Sequence, residues 1–190
     1  MIAFSVAGSG VATSSFVGVE SPLSEGGMWD SPGTWGDLRK ANGAYAVDVF
    51  DQARLVRPVL GADQYAEITY DQDPGSSSWV GVTTRVPGAS DGSGYLAIAY
   101  AGGVRLYRTD DTGSLNFTLL ATANAAIGTA PRRLRLESQG SSHRVYYNGV
   151  QLISLSETRY GSGQPGMAAS VFGGPTVKIL TFEAGSLSGR

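Results

Sequence analysis

Two carboxylates fall in phase on one short run of this chain. In Gln64–Asp71, QYAEITYD, one alternating set is Ala66, Ile68 and Tyr70, and the other is Tyr65, Glu67, Thr69 and Asp71. A strand therefore puts Glu67 and Asp71 on one face and the apolar residues on the opposite one. A carboxylate pair is the equipment of a general acid and a general base. The next run, Trp79–Val86, sets Val80, Val82 and Val86 against Trp79, Thr83 and Arg85, and Tyr95 stands in the run after that. A face holding Glu67, Asp71, Trp79, Arg85 and Tyr95 suits a polyhydroxylated ligand such as a sugar. An aromatic plane stacks on patches of C–H, and carboxylate and guanidinium groups satisfy hydroxyls in pairs. The competing reading is a solvated outer face carrying an ordinary Glu–Arg cross-strand pair.

Other chemistry is sparse. There is no cysteine, which excludes disulfides, thiolate metal sites and cysteine nucleophiles. His143 is the sole histidine and sits beside a turn, so a surface position is expected for it. A serine triad would have to use it, and no Gly-x-Ser-x-Gly elbow occurs to present the serine. Asp71 and Asp73 precede the Pro74-Gly75 turn and offer hard oxygens to a structural Ca²⁺, although aspartates cap turns for their own reasons. No other cofactor is indicated. Trp29 and Trp35 flank a turn with Pro32 and Gly33. Trp29 reads as a plug over one end of a core; Trp35 reads equally as core or as a stacking platform on a rim loop.

The elements that must position these residues are strands. Alternating runs occur near 15–20, 44–49, 54–59, 64–71, 79–86, 95–100, 104–109, 116–122, 132–138, 143–148, 150–155, 167–172 and 177–183, and no segment longer than a turn or two has helical period. Asn148-Gly149 between two such runs is the strongest short-range hairpin signal, since both central residues of a type I′ turn need φ > 0. Further turns are expected at 101–103 and 110–113. Glycine makes up 27 of 190 residues, about 14%, twice the usual share of roughly 7%. Many short strands joined by glycine-rich turns give that count, and the whole of 1–190 reads as one all-β domain, a two-sheet antiparallel β-sandwich of jelly-roll type.

A formal charge of −2 and an isoelectric point near 5.3 leave no basic field, so nucleic acid is not an expected partner. The run of Arg132, Arg133 and Arg135, alternating with Leu134 and Leu136, reads as a solvated strand face. The first residues, MIAFSVAGSGVATSSF, carry no Lys or Arg ahead of a mild apolar run that is too short to span a membrane. The expectations are therefore no Sec signal and no membrane insertion; the initial Met suits a complete product made in a cytoplasm, unless that Met was added, and the expected location is a virion or extracellular surface.

The order of several weak motifs resembles laminin-G-like and concanavalin A-like lectin and glucanase domains. They are Leu23-Ser-Glu-Gly-Gly-Met-Trp29, Trp79-Val-Gly-Val-Thr-Thr-Arg85, Gly94-Tyr95, Arg133-Leu-Arg-Leu136, Val145-Tyr-Tyr-Asn-Gly149 and Phe182-Glu183, and they span nearly the whole chain. The resemblance implies two curved sheets with ligand sites on a concave face or on rim loops. Laminarinase-type members carry Glu-x-Asp-x-Glu or Glu-x-Asp-x-x-Glu on one strand. The nearest match here, Glu67-Ile-Thr-Tyr-Asp71, has Thr69 where the central Asp belongs. The chain is therefore expected not to be an enzyme but a recognition module of lectin type for a glycan or cell-surface polysaccharide. Its expected binding residues are Glu67, Asp71, Trp79, Arg85, Tyr95 and Trp35, and its expected metal ligands Asp71 and Asp73. Two alternatives stand beside it. One is a structural or adhesive virion or surface protein, such as a capsid decoration, meeting other virion proteins; the other is a polysaccharide-degrading enzyme. Fold analogy alone does not carry function.

Overall fold

A computed structural model of the chain describes residues 10–111, 113–127 and 132–187. Seventeen strands and no helix occur among them. Six are short: β1 (Val11–Ser14), β2 (Val19–Glu20), β3 (Trp29–Asp30), β4 (Gly36–Asp37), β5 (Arg39–Ala41) and β6 (Ala44–Tyr45). The rest are β7 (Asp51–Leu55), β8 (Gln64–Tyr70), β9 (Ser78–Val86), β10 (Gly94–Tyr100), β11 (Gly103–Asp111), β12 (Leu115–Asn124), β13 (Arg133–Gln139), β14 (Ser142–Tyr147), β15 (Val150–Ser156), β16 (Gln164–Val171) and β17 (Ile179–Ser186).

The strands form two sheets, every described ladder being antiparallel except the one between β4 and β7. Sheet I runs β15-β14-β13-β8-β17-β6-β5-β2, with β1 also paired to β17. Sheet II runs β12-β11-β10-β9-β16-β7-β3. This is the expected two-sheet antiparallel β-sandwich. The apolar sets read from the sequence face inward: Ala66 and Ile68 of β8 and Val80 and Val82 of β9 are fully buried in the core between the sheets. Trp29 is buried there as well, with its ring edge on Phe182 at 4.8 Å. The hairpin at Asn148-Gly149 has the two-residue loop expected of it, with φ of 50° and 82°.

From β8 onward the described strands match the sequence reading within a few residues; earlier they do not. The run expected at 15–20 is interrupted where Phe16 and Gly18 take φ of 49° and 90°, so only Val19–Glu20 pairs. The run expected at 54–59 is displaced to Asp51–Leu55. One irregularity shapes the site. Arg85 takes φ 58° where Gln164 and Gly166 of β16 face Val86 and Thr83 of β9, which leaves two residues of β9 opposite one of β16. This is a β-bulge, and it re-aims the Arg85 side chain.

Candidate functional site

The five side chains expected on one polar face are not brought together. β8 lies in sheet I and β9 in sheet II. Their outward sets therefore point away from each other, and Glu67 and Trp79 stand on opposite faces of the sandwich. Arg85 and Tyr95 stand on neither, being 2% and 0% exposed.

From the bulge, Arg85 turns into the end of the sandwich. Its Nε donates to the Ala62 carbonyl at 3.1 Å, Nη1 to Tyr160 O at 3.0 Å and Nη2 to Gly140 O at 2.7 Å. One guanidinium thus joins β9 to three loops. Tyr95 belongs to the inward set of β10; its hydroxyl donates to Glu157 and accepts from the Tyr160 N–H. Burial, with the Glu157 carboxylate beside it, pushes the phenol up to about 12. The Tyr95 ring lies 3.9 Å from that of His143, which is fully buried rather than on the surface as expected. The reason is β14's alternation, which points His143 to the same side as Val145. Its Nε2 meets Glu157 O at 3.1 Å and its Nδ1 meets Ser138 Oγ at 2.9 Å. A carbonyl can only accept, so Nε2 carries the proton and Nδ1 accepts from Ser138. Burial, with the Arg85 charge nearby, holds the imidazole below its usual range and hence neutral.

On sheet I the outer face is charged and engaged with itself. Glu67 meets Arg133 at 3.2 Å and Arg135 at 3.7 Å, and Arg135 meets Glu137 at 2.8 Å while lying 3.7 Å over the Tyr65 ring. Arg133 is solvated as expected, whereas Arg135 is largely covered. Burial raises Glu67 above the usual carboxylate range in spite of the two arginines. Asp71 lies just past β8, where its Oδ1 accepts from the Lys178 N–H at 2.9 Å; Asp73 Oδ1 accepts from the Gly75 N–H at 2.8 Å. Asp73 thus closes a local turn, whereas Asp71 ties the end of β8 to the segment that leads into β17. No group of three or more His, Cys, Asp or Glu side chains placed to hold a metal occurs among the described residues.

Sheet II presents a different outer face. The register places Arg105, Ile98, Gly81, Ala168 and Gln52 in one row across β11, β10, β9, β16 and β7. Tyr107 and Leu96 lie in the adjoining row. At Gly81 a side chain would come within 2.6 Å of the Ala97 carbonyl and 2.8 Å of Leu96, so the floor stays low there. Above the floor stands an aromatic cluster: Phe50 and Phe117 are 5.0 Å apart, Phe50 and Trp79 are 6.4 Å apart, and Tyr107 meets Phe117 edge-on at 5.9 Å. With Leu96, Ile98 and Arg105 these four rings enclose an open pocket of about 220 Å³. Arg105 lies 4.1 Å over the Tyr100 ring and donates from Nη1 to Tyr107 Oη at 3.2 Å, while its Nε is buried without an acceptor.

Trp35 supports this pocket from behind. It is 5% exposed, packs on Leu96, Ile98 and Ala168, and sets its edge against Phe50 and Phe117. Its loop is held by Asp111, whose carboxylate accepts from Thr34 N–H at 2.8 Å, Thr34 Oγ1 at 2.7 Å and Gly92 N–H at 3.1 Å. The indole N–H then donates to Gly92 O at 3.2 Å. Of the residues named from the sequence, only Trp79 lines the pocket. Phe50, Arg105, Tyr107 and Phe117 were missed. Alternation in 104–109 separates Arg105 and Tyr107 from Val104 and Leu106 and carried the signal for two of them.

No family model matches the sequence, and no curated protein matches it. Solved structures do. The carbohydrate-binding module CBM66 from Bacillus subtilis is similar over 81% of this chain and 94% of its own, at TM-score 0.61 and 18% identity. The exoplasmic/lumenal domain of VIP36, in a Ca²⁺/Man2-bound form, covers 95% and 88% at TM-score 0.59 and 14% identity. The β-glucanase of Bacillus licheniformis covers 95% and 100% at TM-score 0.58 and 11% identity. The chain therefore has the concanavalin A-like lectin and glucanase fold. These likenesses correct the expectation that the chain is not an enzyme. A β-glucanase shares the fold at 11% identity, so neither the fold nor the departure at Thr69 excludes an enzyme.

Proposed function

We propose that the protein recognises carbohydrate through the aromatic pocket on the outer face of sheet II. The observation that carries this reading is the clustering of Phe50, Trp79, Tyr107 and Phe117 around an open pocket, with a guanidinium at its side. Aromatic faces stack on the C–H side of a pyranose, and a guanidinium donates to its oxygens. CBM66 and VIP36, by their names or bound ligands carbohydrate binders, lend support through shared architecture. The sheet I face is a weaker candidate, because its charges are already engaged with one another. The virion or surface-protein role draws no support from these relatives.

Titration calorimetry against a panel of soluble polysaccharides tests the proposal. Trp79→Ala should cost about 2 kcal/mol of binding, the scale of a well-packed aromatic contact, with the fold unchanged by circular dichroism. Unaltered binding in that variant would remove the pocket from consideration. The same panel, scored for new reducing ends, reports whether a bound glycan is also cleaved.

A further inference from the structure

The pocket's charge is one-sided. Of the seven residues lining it, Arg105 is the single charged one. No carboxylate stands within 4.0 Å of its guanidinium among the described residues, whereas Arg133, Arg135, Arg108 and Arg54 all have acidic partners at that range. Its Nε is buried and has no acceptor, so a ligand in the pocket would be met by the terminal nitrogens of the guanidinium. The cation is nevertheless held in place, over the Tyr100 ring on one side and against Tyr107 Oη on another. A fixed, unpaired guanidinium beside apolar rings is complementary to a planar anion on an otherwise stackable ring, because carboxylates accept two parallel bonds from its fork. The pocket's 220 Å³ falls below the roughly 300–1,000 Å³ of ordinary ligand sites, which suits one sugar ring with its substituent rather than a long oligosaccharide.

Building on the carbohydrate reading, we infer that the sugar taken by this pocket is a uronic acid, its carboxylate on Arg105 and its ring on Trp79. The net charge of −2 supplies no general attraction for such a polymer, so any preference for acid must come from this local site.

The experiment compares polygalacturonate with its fully methyl-esterified form, alongside dextran and dextran sulfate, by calorimetry on the full chain. Polygalacturonate should bind at least tenfold more tightly than the ester. Arg105→Gln should erase that difference, and Arg105→Lys should restore part of it. Arg133→Gln, on the opposite face, should leave it intact and serves as the control for charge loss. Melting curves establish that each variant is folded. If ester and acid bind alike and Trp79→Ala weakens both, the uronic-acid inference fails while carbohydrate recognition stands. Tighter binding to dextran sulfate than to polygalacturonate would overturn the carboxylate and assign the site to sulfate. If no polymer binds and Trp79→Ala changes nothing, both readings fall together.

Discussion

At the scale of single residues, identity and role come apart. Arg85 was expected to meet a ligand and instead bonds three carbonyls at one end of the sandwich. Truncating it leaves those acceptors without partners. Arg85→Ala should therefore lower stability by about 3 kcal/mol, read as a fall in the urea midpoint. Arg85→Lys should recover little of it, because one ammonium cannot fork to three loops. His143 gives a pH signature. Its folded pKa is depressed, so acidification protonates the unfolded chain first, and the stability it contributes is complete above about pH 6.5 and drains away below it. Melting temperatures should drop between pH 7 and pH 5, and His143→Gln should flatten that slope. An unchanged slope would mean that other groups set it. The sequence displayed both side chains but not their surroundings: period-2 alternation gives a side of the strand, and only the bulge at Arg85 and the closure of β14 over Ser138 decide what lies on that side.

At the scale of elements, strands long enough to show alternation were legible, and the others were not. β8 to β15 have six or more residues each with an apolar set, and their ends fall close to the expected ones. β3 and β4 have two residues each, too few for any period, and they belong to a stretch held by side chains from far along the sequence. Asp111 is the clearest of these, since it holds the Trp35 loop from 77 positions away. The site was obscured for a related reason: consecutive strands β8 and β9 enter different sheets, so the outward residues of neighbouring runs do not share a face. Asp111→Ala should free the loop, costing about 2 kcal/mol and roughly 4–8 °C of melting temperature. Faster amide exchange at 33–36 and a red-shifted tryptophan emission should accompany it. A loop that stays protected would show that the Trp35 packing alone suffices.

At the scale of the whole molecule, the two outer faces of the sandwich differ in chemistry. Sheet I spends its charges on cross-strand pairs, while sheet II keeps aromatic surface and one guanidinium open. The sandwich itself could be read from the alternating runs, whereas which face is available could not, because that depends on which strands pair. The pairing of β17 bears also on how the chain reaches this state. β17, the last of the described strands, lies between β8 and β1, with Gly185 beside Val11 and Ala184 beside Ala66. A growing chain thus holds β8, a central strand of sheet I, with one side unpaired until β17 emerges. Contacts between distant parts of a chain form slowly, so sheet I should not close until β17 is available, with the β8 edge open to other chains in the interval. Ending the chain after Val177 removes Phe182 and Ala184 from the core as well as the ladder. That fragment should stay unfolded by circular dichroism and collect in aggregates; a soluble fragment with a cooperative melt would show that sheet II suffices to template the fold.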